Sequence, residues 1–292
     1  VPCERYGHLA KNTDLFFRRL EASLLPQAYY ILICPQERDK RISNRFLLGL
    51  FLRLSKKNRE VMIIRSTFLY LGWKSLRRIL DRFGFWYDLN YWTCEKEFST
   101  TQPVLSLSQA EITKTRSSLE EFGLNPNKPL VGIFVRDAAY LRGKEATKKV
   151  DRSYHHFRNA KVENYRRAIH WLIDQDFQVV RIGGLSEQSV DITRDGFFDY
   201  TASNLQTEQL DVCLIAISTF IVGTASGPTD VATVLGIPHL ATDYAPFHLV
   251  PLGANDMYLP KKLISVKSGQ TRAFKDFISC FGADPNPRNM LS

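Results

Sequence analysis

Between positions 136 and 158 the chain gathers Arg136, Arg152, His155, His156 and Arg158, with Asn159 directly after. A guanidinium is a planar fork that stays charged at any relevant pH, so arginines in one loop suit pyrophosphate oxygens. A second segment, Gly223-Thr-Ala-Ser-Gly-Pro-Thr229, combines small side chains with a proline suited to a first helical turn. There Ser226, Gly227 and Thr229 would present unpaired N–H groups at the positive end of a helix dipole, where a phosphate can sit. Near the start, Tyr6-Gly7-His8-Leu9 reads as a turn before a helix that begins at Ala10. An imidazole placed there at the end of a first strand titrates near neutrality and can take a proton from an acceptor hydroxyl. Two carboxylates lie beside these groups, Asp137 next to the cationic loop and Asp230 after the small-residue turn. Either could accept from a sugar hydroxyl, orient an arginine or act as the base, and their spacing does not choose between them.

Elements must bring these residues together. The 292-residue chain alternates strand-like and helix-like stretches, the signature of an α/β fold with parallel strands, and its length suits two domains. In the first part, 28–34 and 61–65 read as strands, and helices are expected near 12–22, 44–54 and 66–82. The polar stretch 93–104, with Pro103, reads as a connection, and Ser108 with Glu111 makes a capping box for a helix to about Phe122. In the second part 130–136, 177–182 and 220–222 read as strands, 162–174, 204–217 and 271–281 as helices, a short helix from Pro228 to Leu235 follows the turn at 223–228, and a strand restarts at Pro238. The boundaries are therefore a first α/β domain at 1–105, a connection with a helix at 106–128, and a second, Rossmann-like domain at 129–292. In open α/β sheets ligands bind at the carboxyl ends of the strands. That rule draws the loops at 136–160, 183–186 and 223–229, Gly183 included, toward one site.

Composition narrows the partners. At 44% apolar and 24% charged residues the chain is globular, and no apolar run approaches the ~20 residues of a membrane span. Five cysteines, an odd number without a CxxC pair, favour reduced thiols over a disulfide framework or a zinc site, so neither metal nor cofactor is expected. The chain lacks GxxxxGK[ST], a strand-following GxGxxG and GxSxG, which disfavours a P-loop nucleotidase, a nicotinamide dehydrogenase and a nucleophile-elbow hydrolase. Between Glu37 and Arg82 stand 13 Lys/Arg against four acids, a local +9 that equals the formal charge of the whole chain. Interleaved aromatics make 37–82 suited to an anionic membrane surface or polymer, and no motif supports nucleic acid. A cytoplasmic protein, peripheral on the inner face of a membrane, is the resulting expectation.

Gly223-Thr-Ala-Ser-Gly-Pro-Thr-Asp-Val-Ala232, followed by Leu235-Gly-Ile-Pro238, resembles the donor-binding strand–turn–helix of the heptosyltransferase group. Arg5-Tyr-Gly-His-Leu9, Phe134-Val-Arg-Asp-Ala-Ala-Tyr140, Ser153-Tyr-His-His-Phe-Arg-Asn159 and Val180-Arg-Ile-Gly183 are similar to patches of a bacterial glycosyltransferase family encoded in surface-polysaccharide gene clusters. The resemblance implies the GT-B architecture, two facing Rossmann-like domains. It also implies a nucleotide-sugar donor on the second domain, a glycan or lipid-linked acceptor approaching the first, and no catalytic metal. Arg136, His155, Arg158, Asn159, Ser226, Gly227 and Thr229 would hold the donor diphosphate, and Asp230 and Gly183 the ribose or sugar. His8 or Asp137 would serve as base. The rival expectations are a nucleotide-sugar epimerase of the same shape and a non-catalytic module binding anionic glycan or membrane through 37–82.

Overall fold

The computed structural model describes residues 1–85, 97–137, 139, 157–184, 186, 188–244, 253–262, 264–265, 268–271 and 273. It opens with helix α1 (Tyr6–Glu21), which starts before the Ala10 that its sequence suggests. Arg5 is its extended N-cap, so Gly7 and His8 lie within the first helical turn, and residues 1–5 form no strand. Strands β1 (Tyr30–Cys34) and β2 (Val61–Arg65) then pair in parallel, joined by helix α2 (Arg45–Lys57). Asn44 caps α2 by accepting from the Leu47 amide at 2.7 Å. Ser66 likewise caps α3 (Thr67–Arg82), and a short α4 (Glu97–Thr100) interrupts the expected connection. The predicted capping box is formed: Ser108 opens α5 (Gln109–Glu121) and donates its amide to Glu111 at 2.7 Å.

The second half builds one six-stranded, all-parallel sheet. Its strands are β3 (Leu130–Phe134), β4 (Gln178–Arg181), β5 (Phe197–Asp199), β6 (Phe220–Gly223), β7 (His239–Tyr244) and β8 (Met257–Pro260). Helices α6 (Arg166–Asp174), α7 (Glu208–Ala216) and α8 (Gly227–Leu235) link them. The spatial order is β5-β4-β3-β6-β7-β8. Numbered within this half it reads 3-2-1-4-5-6, the order of doubly wound dinucleotide-binding sheets, with its switch point between β3 and β6. Burial follows the two-residue period: Val131, Ile133, Val179 and Val222 face one core with Ile169 and Leu172 of α6. Leu130, Val180, Ile182 and Ile221 face the other, with Val231 and Ala232 of α8. At the switch point the strands come so close that a Cβ on Gly223 would stand 2.4 Å from the Phe134 carbonyl oxygen. Glycine is needed there by contact, not by dihedral.

The second core continues into the first half, taking in Leu9, Leu15, Phe16 and Phe17 of α1 and Leu47 and Phe51 of α2. Helix α1 is buried on nearly every side and carries an ion pair inside it: Arg18 Nε lies 2.5 Å from Asp14 Oδ2, at 1% and 0% side-chain exposure. The guanidinium also donates to the carbonyls of Thr101 (2.9 Å), Thr233 and Val234 (both 3.3 Å), so it caps the C-terminal end of α8. Burial outweighs that cation and pushes Asp14 up to about 7. The folded state therefore holds this proton up to about pH 7, while the unfolded chain releases it near the ordinary carboxylate value. Stability from Asp14 is fully present below about pH 4 and lost as pH rises through 7. We predict that Asp14→Asn flattens this fall, so that melting temperatures of the two proteins diverge with opposite sign at pH 5 and pH 8.

Candidate functional site

The small-residue turn is where the sequence put it, at the carboxyl end of β6 and the start of α8. Ser226 is the extended N-cap, Pro228 lies in the first turn, and Thr229 Oγ1 accepts from the Ser226 amide at 3.1 Å. Gly227 and Thr229 sit in the first turn, whose N–H groups have no intrahelical carbonyl to meet. Ser226 Oγ is shielded from solvent and lacks a normal hydrogen-bond partner among the described residues. The neighbouring strand end is tied to this turn directly: the Arg136 amide donates to Thr224 Oγ1 at 2.9 Å, and the Thr224 amide to the Phe134 carbonyl at 3.1 Å.

A second helix start meets the first. A Cβ on Gly227 would lie 3.1 Å from Tyr6 Cβ, and one on Gly7 would lie 2.0 Å from Asp230 Oδ2. The N-terminal ends of α1 and α8 thus abut, with glycines letting the backbones close, and two positive dipole ends are aimed at one place. Asp230 does not project a lone negative charge into it. Its Oδ1 pairs with Lys11 Nζ at 2.5 Å, with 21% and 8% side-chain exposure. Lys11 is three residues after His8 on the same helix face. Reading the helix from Ala10 hid that relation, and a start at Tyr6 would have revealed it.

His8 is held below its ordinary pKa, first by burial and then by Arg5, while Asp230 acts in the opposite direction and Lys11 and Arg158 reinforce the lowering. It is therefore neutral at pH 7 and able to accept a proton. Arg158 reaches the turn itself, donating from Nη2 to the Ala225 carbonyl at 2.6 Å. Arg136 Nε donates to Asn159 Oδ1 at 3.1 Å, and the Ala160 amide returns to the Arg136 carbonyl at 3.0 Å. The two described ends of the long loop therefore close on each other beside the switch point. Arg152, His155 and His156 lie outside the described residues.

Asp137 is placed differently from a free base. Its Oδ1 accepts from the Ala139 amide at 3.0 Å and its Oδ2 from Ser186 Oγ at 2.5 Å. Ser186 Oγ also accepts from Arg181, which pairs with Asp199 at 2.8 Å, so Asp137 clamps the loops after β3 and β4. Gly183 follows β4 with φ +134°, and a Cβ there would stand 2.9 Å from the Phe134 ring. Both residues shape the strand ends.

Beside this centre lies a cleft of about 550 Å³ lined by Asn159, Ala160, Lys161, Asn164, Gln188, Asp243 and Lys261. Lys261 Nζ donates to the Asn159 carbonyl at 2.5 Å, and burial lowers its pKa. Asp243, next to last in β7, has φ +49°, a left-handed position strained for a non-glycine residue. Neither Lys261 nor Asp243 had a motif to announce it, because each is brought in by sheet order alone. Among the described residues no cluster of three His, Cys, Asp or Glu side chains is arranged to hold a metal ion.

No family model matches the sequence, and no curated protein sequence matches it. Solved structures do. E. coli ADP-heptose lps heptosyltransferase II superposes with a TM-score of 0.50 at 16% identity, over 90% of this chain and 89% of that one. E. coli heptosyltransferase WaaC with ADP superposes at 0.43 and 12% identity, over 95% and 97% of the two chains. The glycosyl transferase family 9 protein from Veillonella parvula DSM 2008 does so at 0.39 and 11%, over 94% and 78%. The two lower scores are too loose to relate residue positions. At 16% identity the first likeness speaks for architecture alone, and it establishes that this chain has the α/β, parallel-sheet fold found in a heptosyltransferase II.

Proposed function

We propose that the protein is a glycosyltransferase that moves a sugar from a nucleotide-sugar donor to a glycan or lipid-linked acceptor without a catalytic metal. One observation carries the reading: the starts of α1 and α8 converge, with Arg158 on the turn, at the switch point of a 3-2-1-4-5-6 sheet. Such a place attracts a diphosphate. That a heptosyltransferase II shares the fold, and is named for an ADP-heptose donor, agrees with it. We read residues 1–105 as the acceptor side and 129–292 as the donor side of a GT-B pair, in a cytoplasmic enzyme.

In the proposed mechanism neutral His8 takes the proton from the acceptor hydroxyl as that oxygen bonds to the anomeric carbon. The bond from that carbon to the diphosphate oxygen breaks, and the nucleoside diphosphate leaves with the electron pair. Arg136, Arg158 and the first-turn amides of Gly227 and Thr229 stabilise the charge that develops. Asp230, neutralised by Lys11, does not repel it, and its proposed role is a contact to the ribose or sugar. Asp137 is a positioning residue for the cationic loop, which leaves His8 as the base. The test is a panel of nucleotide sugars offered with and without lipopolysaccharide-core and lipid-linked acceptors, in the presence of EDTA. Acceptor-dependent release of nucleoside diphosphate is expected. A rearranged donor formed without acceptor would instead establish an epimerase.

A further inference from the structure

Helix α3 turns the wrong side outward. Phe68, Leu71 and Ile79 share one stripe at helical spacing and are 83%, 53% and 58% exposed, and Phe83 and Phe85 extend the stripe beyond the helix end at 68% and 77%. A surface helix ordinarily buries such a stripe against its own core. Large apolar side chains exposed near both ends of α3 and just beyond it are of the kind that marks a binding surface. Tyr29, at the entry to β1, is 87% exposed as well.

The charge of segment 37–82, which contains this helix, selects the partner. Of the four acids between Glu37 and Arg82, Glu37 pairs with Arg65 and Asp39 with Arg41. Arg45 and Arg53 are answered by Glu208 and Glu111 from other segments. Arg38, Lys40, Lys56, Lys57, Arg59 and Arg82 remain exposed, with no acidic partner among the described residues. A second copy seated on this face would bring like charge against like charge, because a two-fold contact joins a patch to itself. A sheet of anionic headgroups over an acyl layer answers both features: the cations meet phosphates and the aromatics enter the interface. We propose that α3 and the basic segment 37–82 form a docking surface for an anionic lipid bilayer, which lies flat on the protein without any spanning element. No described helix is long and apolar enough to cross a membrane. This surface is independent of the donor site and stands whether or not a nucleotide binds there.

The full chain should be sedimented with vesicles of phosphatidylcholine alone and with 30% phosphatidylglycerol. We expect binding to the anionic vesicles at least tenfold tighter than to the neutral ones, lost on raising salt from 0.1 to 0.5 M. Phe68→Ser with Phe83→Ser should weaken it about tenfold, and Lys56→Ser with Lys57→Ser should do so in low salt, each with the melting temperature of the parent. Equal binding to both vesicle types, no binding, or aromatic variants that bind as the parent does would overturn the proposal. A concentration-dependent dimer in analytical ultracentrifugation that Phe68→Ser dissociates would overturn it in favour of a second copy.

Discussion

Arg158→Ala should lower donor turnover by roughly 100- to 1,000-fold, the usual loss when one preorganised donor to a developing oxyanion is removed. The size follows from where Arg158 stands. It bonds the Ala225 carbonyl inside the turn, and its field reaches His8, so both the leaving-group cradle and the base lie within its influence. Two consequences separate this role from a structural one. Arg158 lowers the pKa of His8, so its removal should let that pKa rise and shift the acid limb of the rate profile to higher pH. Arg158→Lys should recover part of the rate, since charge survives while the fork is lost. A variant that folds as the parent and keeps its full rate would remove Arg158 from the mechanism.

Arg18→Met should destabilise the fold by about 3–5 kcal/mol, the range for breaking one side of a buried ion pair. Arg18 is more than Asp14's partner. Its guanidinium joins the Thr233 and Val234 carbonyls at the C-terminal end of α8 to the Thr101 carbonyl after α4. Its loss leaves a buried carboxyl and several carbonyls without their donor. Urea titration should show a lower midpoint at unchanged slope, as for a stability change without loss of compactness. Asp14→Leu combined with Arg18→Met should recover part of the loss, because the unpaired carboxyl goes with it. Since α8 presents the turn, the single variant should also weaken nucleotide affinity at temperatures where it is still folded.

Much of the architecture was legible because period and punctuation agree. The runs around Val131 and Val222 read as buried strands, and Ser108 with Glu111 and Gly223 to Pro228 marked helix starts that the structure retains. What failed to show was short or unpunctuated. Strands β5 and β8 have three and four residues, too few for a periodicity to register. Helix α1 lacks a capping side chain, and Arg5 gives no sequence signal, so its start was placed too late and Lys11 was overlooked. The hydrogen-bond partners of Asp137 were hidden for another reason. Its partner Ser186 comes from the next strand end, 49 residues on, and only the parallel pairing of β3 with β4 brings the two together. The helix expected at 271–281 lies outside the described residues, apart from 271 and 273.

The central claim is that the junction of α1, α8 and the β3 loop holds a nucleoside diphosphate. Titration calorimetry with ADP, UDP, GDP and CDP, against the parent and Arg158→Ala, tests it most directly. One diphosphate should bind with a dissociation constant between about 1 μM and 1 mM, the ordinary range for enzyme substrates, and Arg158→Ala should weaken it at least tenfold. Heatless titrations for all four nucleotides, or affinity untouched by the substitution, would contradict the account.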